Sequence, residues 1–277
     1  MPQHCQRGQR HQRLAQRSGA PVAIDSDFKG PSLHQRAERR ERMHKERQQS
    51  NLEKIIKPDC VFSVFGPSWW TPKAPHLMGY AYPHYVYPDS PFFDNINLFE
   101  KFKINLFKKI HLFFLRKNGK YFVSETEDVS KRLVSLLNFK TDNVFTVTNT
   151  YNNYFNNFLK KQISNLPIKQ ESDFWFLSLC SLASHKNLTI LNKVIPLLED
   201  KLDKDVKFVM TIDQKLFERK FDKKSKELII NLGRVDISTC PMLYSVSDAL
   251  FLPTTLECLS ANYPEAMKMK KPILTSN

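Results

Sequence analysis

The chain has 277 residues, 41% hydrophobic and 12% aromatic, so it can bury a core and is not disordered as a whole. The formal net charge of +14 favours phosphate-bearing partners, but nine of the thirteen arginines lie within residues 1–50. No run reaches the ~18 apolar residues of a membrane span, and the five cysteines form no CxxC or CxxH pair. We therefore expect reduced thiols in a soluble cytoplasmic protein, at most resting on a membrane surface.

Residues 1–50 lack any sustained apolar period, which predicts a disordered or extraneous basic leader. An alternative interpretation of "RRERMHKERQQ" is a basic arm that binds nucleic acid. That interpretation depends on charge alone, so we favour the leader and do not expect a nucleic-acid partner.

From residue 51 the pattern alternates between strands and helices. "DCVFSVFGPS" predicts a continuous apolar strand, and residues 69–93, rich in Pro and aromatics, predict a loop with at most one short strand. A long helix should follow, with Asp94 as its N-cap and Gly119 as its stop. Apolar residues recur along it at helical spacing: Phe99, Phe102, Leu106, Ile110 and Phe113. Strand "KYFVSE", helix "TEDVSKRLVSLLNF" and strand "DNVFTVTN" complete this region.

An Asn-rich polar stretch, "TYNNYFNNFLKKQISNLPIKQES", predicts a linker between two lobes. Beyond it, strands "FWFLSLCS", "VKFVMTI", "ELIINLG", "DALFLP" and "PILTS" alternate with helices, including a single one over "DQKLFERKFDKKS". This pattern predicts an α/β protein with parallel sheets, a partial lobe at 51–168 and a second lobe at 169–277. Ligands of such sheets bind beyond the carboxyl ends of the strands, where "LCSLASHKN" and "LPTTLECLSANYP" lie.

The last of these loops carries two glutamates separated by seven residues, Glu257 and Glu265. Asn262 followed three residues later by Glu265 has the spacing of a capping box, a purely structural arrangement. Alternatively, the helix start binds a phosphate and the carboxylate accepts hydrogen bonds from a ribose diol. The residues alone leave both interpretations open.

The ordered run "CPMLYSVSDALFLPTTLECLSANYPEAMKMKKPILTSN" resembles the donor-binding half of retaining GT-B glycosyltransferases of the family-4 type (glycosyl transferases group 1). The resemblance implies a GT-B-like fold of two Rossmann-like lobes, strongest over residues 172–277, with the front lobe incomplete and the chain a truncated member. It also implies transfer of a sugar, as by a hexosyltransferase, from a nucleotide-diphosphate sugar to a glycan or lipid-linked acceptor, with retention. The front-lobe segments resemble the family less closely.

The resemblance also implies roles for individual residues. Glu257 would be catalytic, near the transferred sugar, and Glu265 would bind the donor ribose. Lys186 would pair with the diphosphate, whereas Ser181 replaces an arginine common in the family. The remaining donor-side positions are the amides at Ser260, Ala261 and Asn262 and the nucleobase loop at Gly233. Because Lys186 and the helix amides would stabilise the leaving diphosphate, neither a metal nor a further cofactor is expected.

Several alternatives remain open. The chain could be an inactive nucleotide-sugar-binding fragment, because its ends are missing and Ser181 replaces the arginine. The basic helix at 94–118 is either a packed helix with a solvated lysine face, which we favour, or a contact with an anionic membrane. His76 and His84 are expected to be structural or surface residues, and Trp69 and Trp70 either stack on a sugar or belong to the core. The composition suggests bacterial polysaccharide biosynthesis at the inner face of the membrane.

Overall fold

A computed structural model describes residues 47–158, 163, 165–198 and 205–276. The chain divides into two compact units, residues 1–52 and 53–277. In the first unit only residues 47–52 are described, and they are helical. The predicted leader therefore lies, up to residue 46, outside the described residues, as do parts of the predicted linker. Everything below concerns the second unit.

The front part of this unit contains a parallel sheet of four strands: β1 (Val61–Ser63), β2 (His76–Gly79), β3 (Tyr121–Ser124) and β4 (Val144–Thr146), in the order β1-β2-β3-β4. Its helices are α1 (Pro83–Val86), α2 (Leu98–Asn118) and α3 (Glu127–Leu137). Met78 is paired with Phe122, and Phe122 with Val144, so one row of buried side chains crosses three strands. Helices α2 and α3 add Leu115, Val129 and Leu133 to this core. Helical crossovers connect β2 to β3 and β3 to β4, whereas residues 64–75 connect β1 to β2 without a helix.

The back part contains five parallel strands: β5 (Asp173–Ser178), β6 (Asp205–Met210), β7 (Ile229–Asn231), β8 (Ala249–Leu252) and β9 (Ile273–Thr275). Their order is β7-β6-β5-β8-β9, so the sheet grows first to one side of β5 and then to the other. The described helices are α4 (Leu191–Leu198), α5 (Gln214–Lys220), α6 (Lys223–Leu228), α7 (Cys240–Val246) and α8 (Asn262–Lys268). A crevice therefore lies beyond the carboxyl ends of β5 and β8.

Both faces of the back sheet are covered. Phe208 and Phe251 belong to the core on one face, whereas Trp175, Leu177 and Leu250 belong to the core on the other. All four residues of β8 are buried, as expected for a central parallel strand with helices on both sides. The predicted parallel, two-lobed α/β architecture is thus observed in the described residues.

Helix α2 differs from its prediction in two respects. Its N-cap is Asn97, whose side-chain oxygen accepts a hydrogen bond from Glu100 N at 2.8 Å, while Asp94 lies in a preceding 3-10 turn. Gly119 ends the helix as predicted. The predicted apolar stripe is exposed rather than packed, with Phe99 75% and Phe102 66% accessible. Contact of this helix with a membrane remains a prediction. In the described part of the chain, no helix has the length and apolarity needed to cross a bilayer.

Two other elements are shorter than predicted. Strand β1 has three residues at an edge of the front sheet, and Phe62 in it is 55% exposed, so it is not the buried strand that its apolar run suggests. The helix predicted over "DQKLFERKFDKKS" is divided into α5 and α6. Phe221 is extended between them, and the Asp222 side chain accepts a hydrogen bond from Ser225 N (2.7 Å), which starts a new helix.

Candidate active site

Two loops join at the crevice, the one after β5 (179–190) and the one after β8 (253–261). The amide of Thr255 donates to the carbonyl oxygen of His185 at 2.8 Å, and the Thr254 hydroxyl donates to the same oxygen at 3.0 Å. The Asn262 side-chain amide donates to the carbonyl oxygen of Leu179 at 3.0 Å. These bonds fix the two predicted site loops against each other at the point where the strand order reverses.

Lys186 and Glu257 meet where these loops join. The ammonium group of Lys186 forms an ion pair with Oε1 of Glu257. The Thr254 hydroxyl lies 3.1 Å from the same oxygen. The two side chains are 14% and 18% exposed, so the pair is largely removed from water. A cation and an anion are thereby held side by side in a partly dehydrated place, where their interaction is stronger than at the surface.

Glu265 does not form the capping box that its spacing suggests. The N-cap of α8 is Ala261, without a side-chain cap, and Asn262 is inside the helix. The Glu265 carboxylate instead accepts a hydrogen bond from the Tyr244 hydroxyl at 3.2 Å. Burial raises the pKa of Glu265, although this hydrogen bond lowers it. A half-buried carboxylate with a neutral partner retains lone pairs for further hydrogen bonds.

A pocket of about 430 Å³ adjoins the β5 loop. Ser181, Asp213, Arg234 and Cys240 are among its lining residues. Burial, followed by the negative charge of Glu265, raises the pKa of Cys240 to about 11, so Glu265 lies near this pocket. Arg234, an exposed cation that directly follows Gly233 in the chain, was missed by the sequence analysis.

Gly233 adopts a left-handed conformation, with φ of +70°. An added Cβ would meet no atom within 4 Å, so the backbone angle rather than space favours glycine here. The predicted role of this loop at a nucleobase remains a prediction.

The three residues predicted to offer main-chain amides stand at the start of α8. Ser260 and Asn262 are buried, and the Ser260 hydroxyl donates to the Asn262 side-chain oxygen at 3.1 Å. Ala261 is exposed. The polar side chains are therefore used to brace the loop, and any contact of these residues with a ligand would come from the main chain.

Glu125 is a front-lobe carboxylate that the sequence reasoning missed. It follows the last residue of β3 and accepts a hydrogen bond from the Asn149 side-chain amide at 3.2 Å. Burial raises its pKa, the Asn149 bond lowers it, and the charge of Glu257 raises it. Burial and the charges of Glu125 and Glu257 also raise the pKa of Cys258 to about 12. Carboxylates from the two sheets are therefore close enough to interact.

The two histidines have different surroundings. His76 is buried, with Nδ1 2.8 Å from the Asn118 carbonyl oxygen and Nε2 2.9 Å from the Ser63 hydroxyl, which confirms a structural role. The ring of His84 lies 6.2 Å from that of His185, beside the ion pair. Burial and the neighbouring His185 lower the pKa of His84.

The adjacent tryptophans are packed against the front lobe. The ring of Trp69 lies 4.7 Å from that of Phe114 and 5.6 Å from that of His111. The indole nitrogen of Trp70 is buried and has no hydrogen-bond partner among the described residues. These contacts favour the core alternative over stacking on a sugar.

Solved glycosyltransferases share this fold. A glycosyltransferase from Rickettsia africae ESF-5 matches with a TM-score of 0.56 and 17% identity, over 96% of this chain and 68% of its own. WaaG, a glycosyltransferase involved in lipopolysaccharide biosynthesis, matches with a TM-score of 0.59 and 12% identity, over 82% of this chain and 61% of its own. HepE from Anabaena, in complex with UDP and glucose, matches with a TM-score of 0.51 and 11% identity, over 73% of this chain and 53% of its own.

No protein-family model and no curated protein sequence matches the chain. At such low identities the structural matches show the fold alone: an α/β architecture of the GT-B glycosyltransferase type, with parallel sheets. The chain matches between 53% and 68% of the lengths of these three structures.

Proposed function

We propose that this chain binds a nucleotide-diphosphate sugar at the edge of the back sheet and transfers the sugar, with retention, to an acceptor hydroxyl. The observation that carries the proposal is the Lys186–Glu257 ion pair, located where the loops after β5 and β8 join. Ligands of doubly wound sheets bind at this switch point. A largely dehydrated lysine there can stabilise the charge that develops on a leaving diphosphate.

In this proposal Lys186 exchanges its partner when the donor binds. Its ammonium group leaves Glu257 and pairs with the diphosphate, and Glu257 then faces the transferred sugar. The bond from the sugar to the diphosphate breaks as the acceptor oxygen bonds to the same carbon, and the hydroxyl proton passes to the leaving diphosphate. Glu257 also stabilises positive charge on the sugar ring, because a nearby carboxylate interacts favourably with it.

The nucleoside would lie toward the pocket lined by Ser181 and Arg234. Glu265, hydrogen-bonded to a neutral hydroxyl rather than to a cation, would accept the ribose hydroxyls. Ser181 cannot supply the positive charge of the arginine that the family carries at this position. We propose that Arg234, which lines the same pocket, supplies this charge instead. The loop at Gly233 and the main chain at 260–262 would complete the site.

The acceptor is proposed to be a glycan or a lipid-linked saccharide, as in bacterial polysaccharide biosynthesis on the cytoplasmic side of a membrane. HepE, whose fold is similar, was solved with UDP and glucose, which supports a nucleotide-sugar donor of the hexose type. The alternative is a nucleotide-sugar-binding protein without transferase activity. The serine at position 181 favours this alternative, because half of the expected cationic clamp is absent from that loop.

Calorimetry tests the donor site. UDP, GDP, ADP and their sugar forms are titrated into the full chain, its Glu265→Gln variant and a Glu127→Gln control. Glu127 has the same charge, and its side chain is 81% exposed on α3. We expect the nucleotides of one base to bind. The Glu265→Gln substitution should weaken their binding about 10-fold, because it removes one hydrogen bond to a charged group. No binding to a chain shown to be folded would refute the proposal, as would an equal loss in the control.

Transfer is tested separately from binding. Release of the free nucleoside diphosphate from the bound donor is followed over hours, and the anomeric configuration of the liberated or transferred sugar is read by NMR. Release that Glu257→Gln abolishes supports the transferase. Tight binding without release supports the binding protein, and inverted product configuration contradicts retention.

A further inference from the structure

A second pocket, of about 400 Å³, lies in the front part of the unit and opens beside the candidate site. Its walls come from α1, α2 and the turn between them, and also include Ser184 of the β5 loop, two residues before Lys186. The Ser90 hydroxyl donates to the carbonyl oxygen of Thr255 at 2.6 Å, so the same front-lobe turn also touches the β8 loop. The pocket therefore adjoins the β5 loop, and the turn that forms part of its wall also contacts the β8 loop.

Aromatic and aliphatic faces dominate the lining of this pocket. The rings of Tyr82 and Tyr85 stack at 5.3 Å, and the ring of His111 meets that of Tyr82 edge-on at 5.1 Å. The Tyr85 hydroxyl lies 2.8 Å from Nδ1 of His111, so these polar atoms satisfy each other. The apolar lining is Phe92, Ile96, Ile104 and Phe107. The other polar lining residues are His84, Glu100, Lys103 and Ser184. A saccharide without a lipid would place many of its hydroxyls against the aromatic and aliphatic remainder of the lining, where they would lack hydrogen-bond partners.

The pocket is continuous with an exposed apolar surface. Phe107 belongs to the lining and is also 43% exposed. It stands on the same helix as Phe102 and Leu106, which are 66% and 48% exposed. The ammonium group of Lys103 lies 5.9 Å from the centre of the Phe107 ring, at the pocket. An apolar chain could thus run from the pocket along α2, past the charged side chains of Glu100 and Lys103.

We propose that this pocket binds the apolar chain of an amphiphilic acceptor, whose hydroxyl-bearing head then lies at Ser184 and His84, beside the Lys186–Glu257 pair. The inference rests on the proposed glycosyl transfer and narrows the acceptor to the lipid-linked class. Burial of the acceptor's apolar chain would position its polar head, and the loops after β5 and β8 would then bind the polar groups of the head.

Intrinsic tryptophan fluorescence tests the pocket, because the ring of Trp69, one of the three tryptophans, lies 5.6 Å from that of His111 in the lining. The full chain is titrated with octyl β-glucoside below its micellar concentration and with methyl β-glucoside. Each fully buried methylene strengthens binding about fourfold, so burial of three would give a preference of roughly 60-fold for the octyl compound. A preference below about 10-fold would overturn the proposal.

Matched substitutions locate the binding. Phe107→Ser removes a ring from the pocket, while Phe113→Ser makes the same change on the same helix at a residue that is 58% exposed and outside the pocket. We expect the first to weaken octyl glucoside binding at least about 5-fold and the second to leave it unchanged. Equal weakening by both would place the detergent on the exposed face of α2 and overturn the proposal.

A UDP titration of the same protein separates this inference from the proposed function. If UDP binds and the octyl preference is absent, only the acceptor pocket is wrong. If the octyl preference is present and no nucleotide binds, the donor site is wrong and the acceptor role falls with it. If both bind, Phe107→Ser should leave UDP affinity unchanged, because Phe107 does not line the pocket at Ser181 and Arg234.

Discussion

The Lys186–Glu257 pair leads to a prediction with opposite signs for its two members. In the structure the ammonium group of Lys186 is paired with Glu257, although the diphosphate of the proposed donor needs the same group. Lys186→Gln should therefore weaken UDP binding, whereas Glu257→Gln should strengthen it, because the substitution frees Lys186 and removes a negative charge from the site. Sugar transfer should be lost in both variants.

The magnitudes follow from the partners and their burial. A hydrogen bond to a charged group contributes about 1.5–3 kcal/mol, so Lys186→Gln should weaken UDP binding by roughly 10- to 100-fold. Glu257→Gln should strengthen it by less, up to about 10-fold, since part of the ion-pair energy is lost to solvation of the freed lysine. The side chains retain 14% and 18% exposure, so we expect each variant to lose about 1–3 kcal/mol of stability, below the ~3–5 kcal/mol of a fully buried pair.

Calorimetry with UDP and urea denaturation measure the two effects on each variant. Lys131→Gln is the control for the charge change, because its side chain is 78% exposed on α3. If Glu257→Gln weakened UDP binding as much as Lys186→Gln, the pair would act only as a brace between the loops. The reasoning of charge competition would then be refuted.

Two further predictions concern stability. Because burial raises the folded-state pKa of Glu265 above its ordinary 4.5, the folded state loses stability as pH rises through the interval between the two values. Glu265→Gln should therefore unfold at higher urea concentration than the wild type at pH 8 and at a similar one at pH 4; a less stable variant at pH 8 would contradict this. The Asp248 carboxylate accepts bonds from the Lys169 ammonium group at 2.5 Å and from Trp175 N at 2.6 Å. Asp248→Ala should cost about 2–3 kcal/mol in urea denaturation and leave UDP affinity unchanged, and a loss of affinity in the folded variant would place Asp248 in the site.

The back sheet could be predicted from the sequence because its strands are short apolar runs separated by helices. Once the strands are known to be parallel, their carboxyl ends must share one edge, and the loops carrying Lys186 and Glu257 must be close. The front sheet was less predictable. In β1 Val61 is partly buried and Phe62 is exposed, and an apolar run alone does not reveal which strand is at an edge.

The helix starts show a second limit of sequence reasoning. The spacing of Asn262 and Glu265 matches a capping box, yet the helix begins one residue earlier and each side chain has a tertiary partner. Asp94 was a plausible cap for α2, but Asn97 is closer to the first helical residue and performs that function. Local spacing identifies candidates for a cap, whereas contacts with distant residues such as Tyr244 decide between them.

The sequence motif presents Glu257 and Glu265 as equivalent members of a spaced pair, and their surroundings make them different. Glu257 is paired with the ammonium group of Lys186, which the diphosphate would also bind. The proposed donor therefore competes with Glu257 for Lys186. Among the described residues, the Glu265 carboxylate has a hydrogen bond from the Tyr244 hydroxyl and no cation as partner, and burial disfavours its charge. A ribose diol would therefore add hydrogen bonds to it. Removal of charge should therefore strengthen nucleotide binding at position 257 and weaken it at position 265. A role as two helix or loop braces would give the same sign at both positions, and so the pair of signs distinguishes a donor site from a structural motif.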